Sequence, residues 1–81
     1  MSVTVYAIRF AAGEIYVGLT KDLARRLEEH RRRQSPSTKR MTPGPLQVLY
    51  QEAFPDYAQA RRQERFLKSG AGRAFLKSLL L

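Results

Sequence analysis

The chain of 81 residues contains no cysteine, no asparagine and a single histidine, His30. The absence of cysteine excludes disulfide bonds and thiolate metal sites. One histidine cannot build a zinc site that needs several imidazole ligands. A site for a hard cation such as Mg²⁺ stays open, because such an ion binds through one or two carboxylates and keeps water as its other ligands.

Acidic residues are scarce, since seven Asp and Glu stand against fifteen Lys and Arg, a net charge of +8. Most of the basic residues are Arg, whose planar guanidinium suits bidentate contact with phosphate. A small and strongly basic domain most often binds nucleic acid. A charge that only keeps the protein in solution is the simpler interpretation, and composition does not separate the two.

Long apolar runs are also missing. No stretch approaches the ~18–20 apolar residues of a membrane-spanning helix, and the N-terminal residues show no signal-peptide pattern. We therefore expect a cytoplasmic protein without membrane contact. The length predicts one small domain, residues 1–81. A chain this short buries only about 60% of its unfolded surface, so a buried polar side chain needs a reason.

The apolar pattern predicts three strands. β-Branched and aromatic residues fill 3–10, and 14–19 follows after a short turn at Gly13, so these two segments are expected to form an antiparallel hairpin. Residues 46–54 alternate in the same way and end at Pro55. They should complete a three-stranded antiparallel sheet.

A first helix is predicted after the hairpin. Thr20 is the expected N-cap, and Asp22 suits the positive end of the helix dipole. Leu23, Leu27 and His30 follow on one stripe at helical spacing. The residues expected to face solvent are Arg25, Glu28, Glu29 and Arg32.

Residues 31–45 carry five basic side chains, three prolines, a glycine and no acidic residue, which predicts a loop. Fifteen residues is long for a loop in so small a domain and favours a functional or disordered segment. A positive loop of this kind can lie along a phosphate backbone. A solvated linker is the alternative.

Two more helices are predicted after the third strand. Asp56 with Gln59 three residues later is a capping-box variant that starts the second helix. Its stripe consists of Tyr57, Ala60, Glu64 and Leu67. After a break at 69–70, residues 71–81 predict a last amphipathic helix that covers the sheet. The predicted fold is α+β, a small three-stranded antiparallel sheet flanked by three helices in the order ββαβαα.

Four polar side chains interrupt this pattern: Tyr16 beside Gly18 at a strand end, Arg26 and His30 at the inner edge of the first helix, and Glu64 in the stripe of the second. Such local inconsistencies tend to mark function. Phosphodiester cleavage needs a base or nucleophile, positive charge on the phosphate oxygens and help for the leaving oxygen. Tyrosine, arginine, histidine and a metal-binding glutamate can cover these roles together.

Each of these residues also has an ordinary explanation. Tyr16 can be a packed aromatic with a satisfied hydroxyl, and His30 a structural histidine. Arg26 can lie along the helix edge with its charge in water. Glu64 can pair with a basic residue three or four positions away.

The chain resembles the GIY-YIG nuclease domain. The resemblance is carried by Thr4-Val5-Tyr6, by Tyr16-Val17-Gly18 after nine residues, and by Arg26-Leu27-x-x-His30. Ser37-Thr38-Lys39, the strand from Leu46 to Glu52, and Ala60-x-x-x-Glu64-x-x-x-Lys68 match in the same order. The length is similar to that of the short stand-alone bacterial branch of the family.

The resemblance implies metal-dependent cleavage of nucleic acid, with DNA expected ahead of RNA. Tyr16 corresponds to the catalytic tyrosine, a general base or a nucleophile, and Tyr6 to the partner that polarises or orients it. Arg26 would bind the scissile phosphate, and His30 would assist proton transfer or phosphate binding. Glu64 would bind a single divalent ion, Mg²⁺ or Mn²⁺.

Further basic residues are expected to contact the nucleic acid: Lys21, Arg25, Arg31, Arg32, Arg33, Lys39, Arg40 and Lys68. No recognition domain is appended within the sequence, so specificity should be low, directed by nucleic-acid structure, or supplied by a protein partner or a second copy. Three positions depart from the family pattern. Thr4 stands where the family has glycine, Leu19 where the repair enzymes have lysine, and Arg31 where an asparagine often follows the histidine.

Two other functions remain compatible with the sequence. One is a non-catalytic module that retains the fold and binds nucleic acid or recruits a partner. The other is a basic structural protein whose polar residues are all satisfied internally. Catalysis requires one cleft lined by Tyr6, Tyr16, Arg26, His30 and Glu64, and a Glu64 that faces away from Tyr16 argues against it.

Overall fold

The structure, a computed structural model, describes residues 2–32 and 44–80. Its elements in chain order are β1 (Val3–Arg9), β2 (Ile15–Thr20), α1 (Leu23–Arg31), β3 (Gln47–Phe54), α2 (Tyr57–Lys68) and α3 (Gly70–Ser78). The fold is α+β with three antiparallel strands and three helices, so the predicted order ββαβαα is confirmed. Most of the predicted loop, residues 33–43 with Arg33, Lys39 and Arg40, lies outside the described residues.

The strand order is β2-β1-β3, with β1 antiparallel to both neighbours. The β1–β2 hairpin closes through Gly13, whose φ of 96° lies in the left-handed region that favours glycine. Phe10 N donates to Glu14 O at 2.8 Å across this turn. Because β1 is central, both of its faces are buried, as its apolar residues on either side predict.

Side chains alternate across the sheet and give two separate apolar clusters. On one face, β1 and β2 residues pack against Ala60 and Leu67 of α2 and Leu76 of α3. On the other face, Tyr6, Ile8 and Phe10 form a cluster with partly buried residues of β2 and α1. The sheet therefore separates α1 from α2 and α3.

The N-cap of α1 is Asp22, so the expectation of Thr20 was wrong. Asp22 Oδ1 accepts a hydrogen bond from Arg25 N at 3.1 Å, and its backbone is extended. Thr20 still belongs to β2, and its hydroxyl accepts from Asp22 N at 3.1 Å. The turn between strand and helix thus needs both side chains, because the strand runs one residue further than its apolar pattern suggests.

At its other end α1 includes Arg31 and is capped by Arg32, two residues expected in the loop. Glu28 pairs with both of them, at 3.6 Å to Arg31 Nη1 and 2.8 Å to Arg32 Nε. These ion pairs at helical spacing favour one further turn.

Asp56 caps α2 as predicted, accepting from Gln59 N at 2.9 Å. Ala60, Glu64 and Leu67 are buried along its stripe. Tyr57 was expected on the same stripe but is exposed, because it is the first residue of the helix, one turn before α2 reaches the apolar cluster.

Ser69 ends α2 and starts α3: its N–H bonds to Phe66 O, and its hydroxyl accepts from Gly72 N at 3.2 Å. Leu76 reaches the core, and Phe75 meets the ring of Tyr50 edge-on at 6.0 Å. The helix ends at Ser78, earlier than predicted. Among residues 2–32 and 44–80, no helix has the length and apolar character needed to cross a membrane.

Gly72 sets how closely α3 crosses α2. A Cβ atom there would lie 2.0 Å from Phe66 O and 2.4 Å from Leu67 Cα, which are backbone atoms that cannot move aside locally. We expect Gly72→Ala to lower the free energy of unfolding by about 2 kcal/mol or more. Gly70→Ala is the matched control, since nothing lies within 4 Å of a Cβ there, and should change it by less than about 0.5 kcal/mol. Urea unfolding of both variants measures this, and equal effects would contradict the crossing geometry.

Candidate active site

Two tyrosines lie together on one face of the sheet. Tyr6 pairs opposite Gly18, and Tyr16 pairs opposite Ile8, so the two side chains are diagonal neighbours with ring centroids 6.2 Å apart. A Cβ on Gly18 would lie 2.8 Å from both Tyr6 Oη and Tyr16 Cε2. Gly18 therefore leaves room for these two rings.

His30 places the last turn of α1 over this pair. A hydrogen bond of 2.8 Å joins Tyr6 Oη and His30 Nε2, and the imidazole centroid lies 5.2 Å from that of Tyr16. His30 is 2% exposed. Burial, with the charge of Arg26 as a smaller cause, lowers the pKa of His30. The imidazole is therefore neutral near pH 7.

Tyr6 is fully buried in the central strand. Burial raises its pKa to about 12, although a hydrogen bond with Arg26 acts in the opposite direction. Tyr6 thus keeps its proton at neutral pH and can orient its neighbours, but a substrate cannot reach it in this conformation.

Arg26 connects α1 to both phenols. Its Nη1 donates to Glu29 Oε1 at 2.9 Å, and its side chain lies near Tyr6 and Tyr16. Glu29 is the largest cause that raises the pKa of Arg26 above its ordinary value, and the two tyrosines contribute less. The guanidinium is a permanent positive charge at the two phenol oxygens.

Glu29 was expected to face solvent, and that expectation was wrong. Its side chain is 29% exposed and pairs with Arg26 and, at 3.6 Å, with Arg25 Nε. The spacings of three and four residues to these arginines were the available signal. A carboxylate thus holds the guanidinium that the sequence assigns to phosphate binding.

An open depression of about 360 Å³ adjoins this cluster. Arg26 and Glu29 line it together with Lys21 and Arg25 and the turn between β2 and α1. Three cations, Lys21, Arg25 and Arg26, and two carboxylates, Asp22 and Glu29, line this concave surface, and the remaining positive charge is suited to an anion. The arrangement can therefore hold a phosphate within reach of Arg26.

Glu64 lies elsewhere. It is 6% exposed, in the stripe of α2 that packs on the opposite face of the sheet. Arg61 Nη1 donates to its Oε1 at 2.7 Å, and Lys68 Nζ donates to its Oε2 at 3.2 Å. The structure therefore brings together Tyr6, Tyr16, Arg26 and His30. In the described part of the chain, the hydrogen bonds and ion pairs of Glu64 all stay within α2.

The structure also locates most of the basic residues assigned to nucleic acid. Lys21 and Arg25 line the depression. Arg31 and Arg32 pair with Glu28 on the exposed side of α1, and Lys68 pairs with Glu64. Within the two described ranges, no three Asp, Glu or His residues cluster closely enough to hold a metal ion.

A family model, the GIY-YIG catalytic domain, matches residues 2–75. A UPF0213 protein of Xanthomonas campestris is 41% identical over 64 residues, 79% of this chain and 62% of that protein. A UPF0213 protein of the Orgyia pseudotsugata multicapsid polyhedrosis virus is 38% identical over 77 residues, 94% of this chain and 73% of that protein. The chain thus spans less than two thirds of the Xanthomonas relative it matches.

A solved structure is similar over almost the whole chain. The solution NMR structure of a UPF0213 protein from Bacillus halodurans matches with a TM-score of 0.59 and 31% identity. The match covers 98% of this chain and 85% of that one. Fold and sequence similarity therefore coincide over the elements that position the tyrosine cluster.

The buried His30 predicts a dependence of stability on pH. Because its pKa is lowered on folding, the unfolded chain binds more protons below about pH 6.5. The stability that comes from keeping His30 neutral is fully present above that pH, and it is lost as the pH falls towards the pKa of His30 in the folded state. Between about pH 7 and 5, the wild type should lose stability more steeply than His30→Gln, by up to about 1.4 kcal/mol per pH unit.

Urea unfolding at constant ionic strength measures this difference. Parallel pH profiles for the two proteins would contradict it. Titration of the His30 ring protons by NMR in the wild type is a second test that needs no variant. A midpoint at or above the ordinary histidine value of ~6.5 would show that the ring is not held neutral.

Proposed function

The chain belongs to the GIY-YIG domain family, which is of nuclease type, and we propose that it cleaves phosphodiester bonds in nucleic acid, DNA ahead of RNA. The observation that supports this most directly is the contact of Arg26 with the Tyr16 phenol beside a positively charged depression. Phosphoryl transfer depends mainly on positioning and on charge placed where the transition state needs it.

Arg26 is the proposed phosphate ligand. Its side chain is 29% exposed and lines the depression, where Lys21 and Arg25 add positive charge. A guanidinium already fixed by Glu29 can stabilise the charge that develops on the non-bridging oxygens without first having to be ordered. Most of the binding free energy should then come from phosphate contacts and decrease as salt rises.

Tyr16 is the proposed general base or nucleophile. It is partly exposed and lies on the edge strand, whereas Tyr6 is fully buried and holds its proton. Tyr6 and His30 are then positioning residues: their hydrogen bond fixes the two rings that flank Tyr16. Burial supports the division of roles that the resemblance implies, because Tyr6 is enclosed and Tyr16 is partly exposed.

A single Mg²⁺ or Mn²⁺ at Glu64 is part of the proposal. One carboxylate with water as the remaining ligands is compatible with such an ion, and no group of three or more Asp, Glu or His residues that could hold a metal ion exists among the residues that the structure describes. When bound, the ion would provide Lewis-acid stabilisation of the leaving oxygen. Arg61 and Lys68 occupy both oxygens of Glu64, so the ion competes with these two side chains.

One observation favours the alternative, a module that binds nucleic acid without cleaving it. Glu64 is neutralised by two cations and extends from the α2 face that packs on the other side of the sheet from the Tyr16 ring. In either case the source of specificity is proposed to be a protein partner or a second copy, because the depression offers mainly charge.

Tyr16→Phe separates the two functions. We expect pure wild-type protein to nick plasmid, flap or single-stranded DNA with Mg²⁺ or Mn²⁺, and Tyr16→Phe to be slower by roughly 10²-fold or more, since a positioned base contributes about that much. DNA binding should change less than about twofold, because the arginines remain. Tyr57→Phe is the matched control, as Tyr57 is exposed and outside the cluster.

Cleavage by Tyr16→Phe at the wild-type rate would exclude Tyr16 as base or nucleophile. Absence of cleavage by every protein, with salt-sensitive binding that Arg26→Ala weakens, would instead support the binding module.

Competition at Glu64 gives a prediction for the metal. Lys68→Ala removes one of the two cations on the carboxylate, so we expect Mn²⁺ to bind about two- to fivefold tighter, in line with an ion pair worth up to ~1 kcal/mol. Arg65→Ala is the charge-matched control, because Arg65 is an exposed residue of the same helix without an ion pair to Glu64. Glu64→Gln should abolish binding. Electron paramagnetic resonance of Mn²⁺ measures the affinity of all three variants for the ion. An unchanged affinity in Glu64→Gln would show that the ion binds at another site.

A further inference from the structure

A second concave site lies on the face of the sheet opposite the tyrosine cluster. A cavity of about 210 Å³ opens between β2, α2 and α3. Its apolar walls come from Ile15 and Val17 on β2, Leu67 on α2 and Leu76 on α3. The core cluster of this face therefore stops short of filling the space between the edge strand and the two helices.

Three cations line the same cavity: Lys68, Arg73 and Lys77. Among residues 2–32 and 44–80, no acidic side chain lines it. Arg73 and Lys77 are exposed and lie one turn apart on α3, and neither forms an ion pair with a carboxylate of the described residues. An apolar recess thus carries two unneutralised positive charges, which is the chemistry that recognises an apolar body bearing an anionic group.

The size limits the occupant. A cavity of roughly 150 Å³ holds one benzene ring, whereas sites for drug-sized molecules start at about 300 Å³. A volume of about 210 Å³ is therefore suited to one ring system. A single nucleobase meets this limit, with its phosphate left at the basic rim.

We propose that this cavity binds one nucleotide, with the base against Ile15 and Val17 on β2 and the phosphate on Arg73 and Lys77. The guanidinium of Arg73 suits a phosphate because it can donate two parallel hydrogen bonds. Free nucleotides and an unpaired nucleotide of a strand share this chemistry.

The position of Tyr16 favours a nucleotide over an acidic peptide. Tyr16 belongs to the cluster with His30 and Arg26, and it also lines this cavity. Because β2 is an edge strand, a nucleic-acid strand that crosses this edge passes from the depression at Arg26 to the cavity. This step rests on the proposed function. The cavity would then hold a nucleotide near the scissile bond and favour single-stranded or unpaired substrates.

The test is an NMR titration of the ¹⁵N-labelled chain in EDTA, so that no metal-dependent cleavage occurs. Adenosine monophosphate, adenosine, inorganic phosphate, a single-stranded oligonucleotide and its duplex are compared. Adenosine monophosphate should shift the amide resonances of Val17, Arg73 and Lys77. It should bind at least about tenfold tighter than adenosine or inorganic phosphate. The single strand should shift the same amides and compete with it, whereas a blunt duplex should not.

Two double variants with equal loss of charge complete the test. Arg73→Ala with Lys77→Ala should weaken binding of the monophosphate about tenfold or more. Arg62→Ala with Arg65→Ala, exposed positions of α2 outside the cavity, should change it less than about twofold.

Shifts confined to other amides, phosphate binding as tight as that of the nucleotide, or unchanged binding in the Arg73 and Lys77 double variant would each overturn the proposal. So would an acidic peptide that shifts these amides when the monophosphate does not. Binding of adenosine monophosphate without binding of the single-stranded oligonucleotide would support the cavity as a nucleotide site. It would exclude a nucleic-acid strand as the source of the bound nucleotide. Since these results need no cleavage, a protein that binds here but never nicks DNA would refute the proposed function and leave the site standing.

Discussion

The buried hydrogen bond between Tyr6 and His30 holds the rest of the cluster in place. In a core this thin, a buried polar group without a partner costs about 1–3 kcal/mol, so the two residues stabilise each other's burial. Only Leu23 and Leu27 of α1 add apolar contacts to this face of the sheet. The bond and these two leucines together fix where the helix lies, and with it the position of Arg26 near the two phenols.

The few carboxylates in a chain of net charge +8 decide where positive charge remains available. Glu28 neutralises part of the C-terminal turn of α1, Glu29 orders Arg26, and Glu64 holds Arg61 and Lys68. Six basic residues of the described ranges have no ion pair with a described carboxylate: Arg9, Lys21, Arg62, Arg65, Arg73 and Lys77. Three of them lie on the two sides of β2, Lys21 at the depression and the two α3 cations at the cavity. The pairing is local because each of these three glutamates lies within one helical turn of the basic residues with which it pairs.

Patterns that span several residues predicted the fold well. Alternation gave the strands to within a residue of their ends, and Asp56 with Gln59 gave the start of α2. The wrong predictions concern single residues whose environment depends on contacts that the local sequence pattern does not contain. Thr20 and Asp22 are both good N-caps, and the length of β2 decides between them. Glu29 faces outward on a helical wheel, but an ordered arginine three residues earlier keeps it at the site.

The arrangement of strands adds a constraint that the motifs alone do not contain. Two tyrosines with similar strand contexts receive different environments, because β1 is central and β2 is an edge. A residue on a central strand covered by a helix cannot touch a ligand without displacing that helix, and displacing α1 would break the Tyr6–His30 bond. Tyr16 needs no such movement. A substrate that uses the tyrosine cluster therefore has to approach along β2, the strand that borders both the depression at Arg26 and the cavity at Arg73.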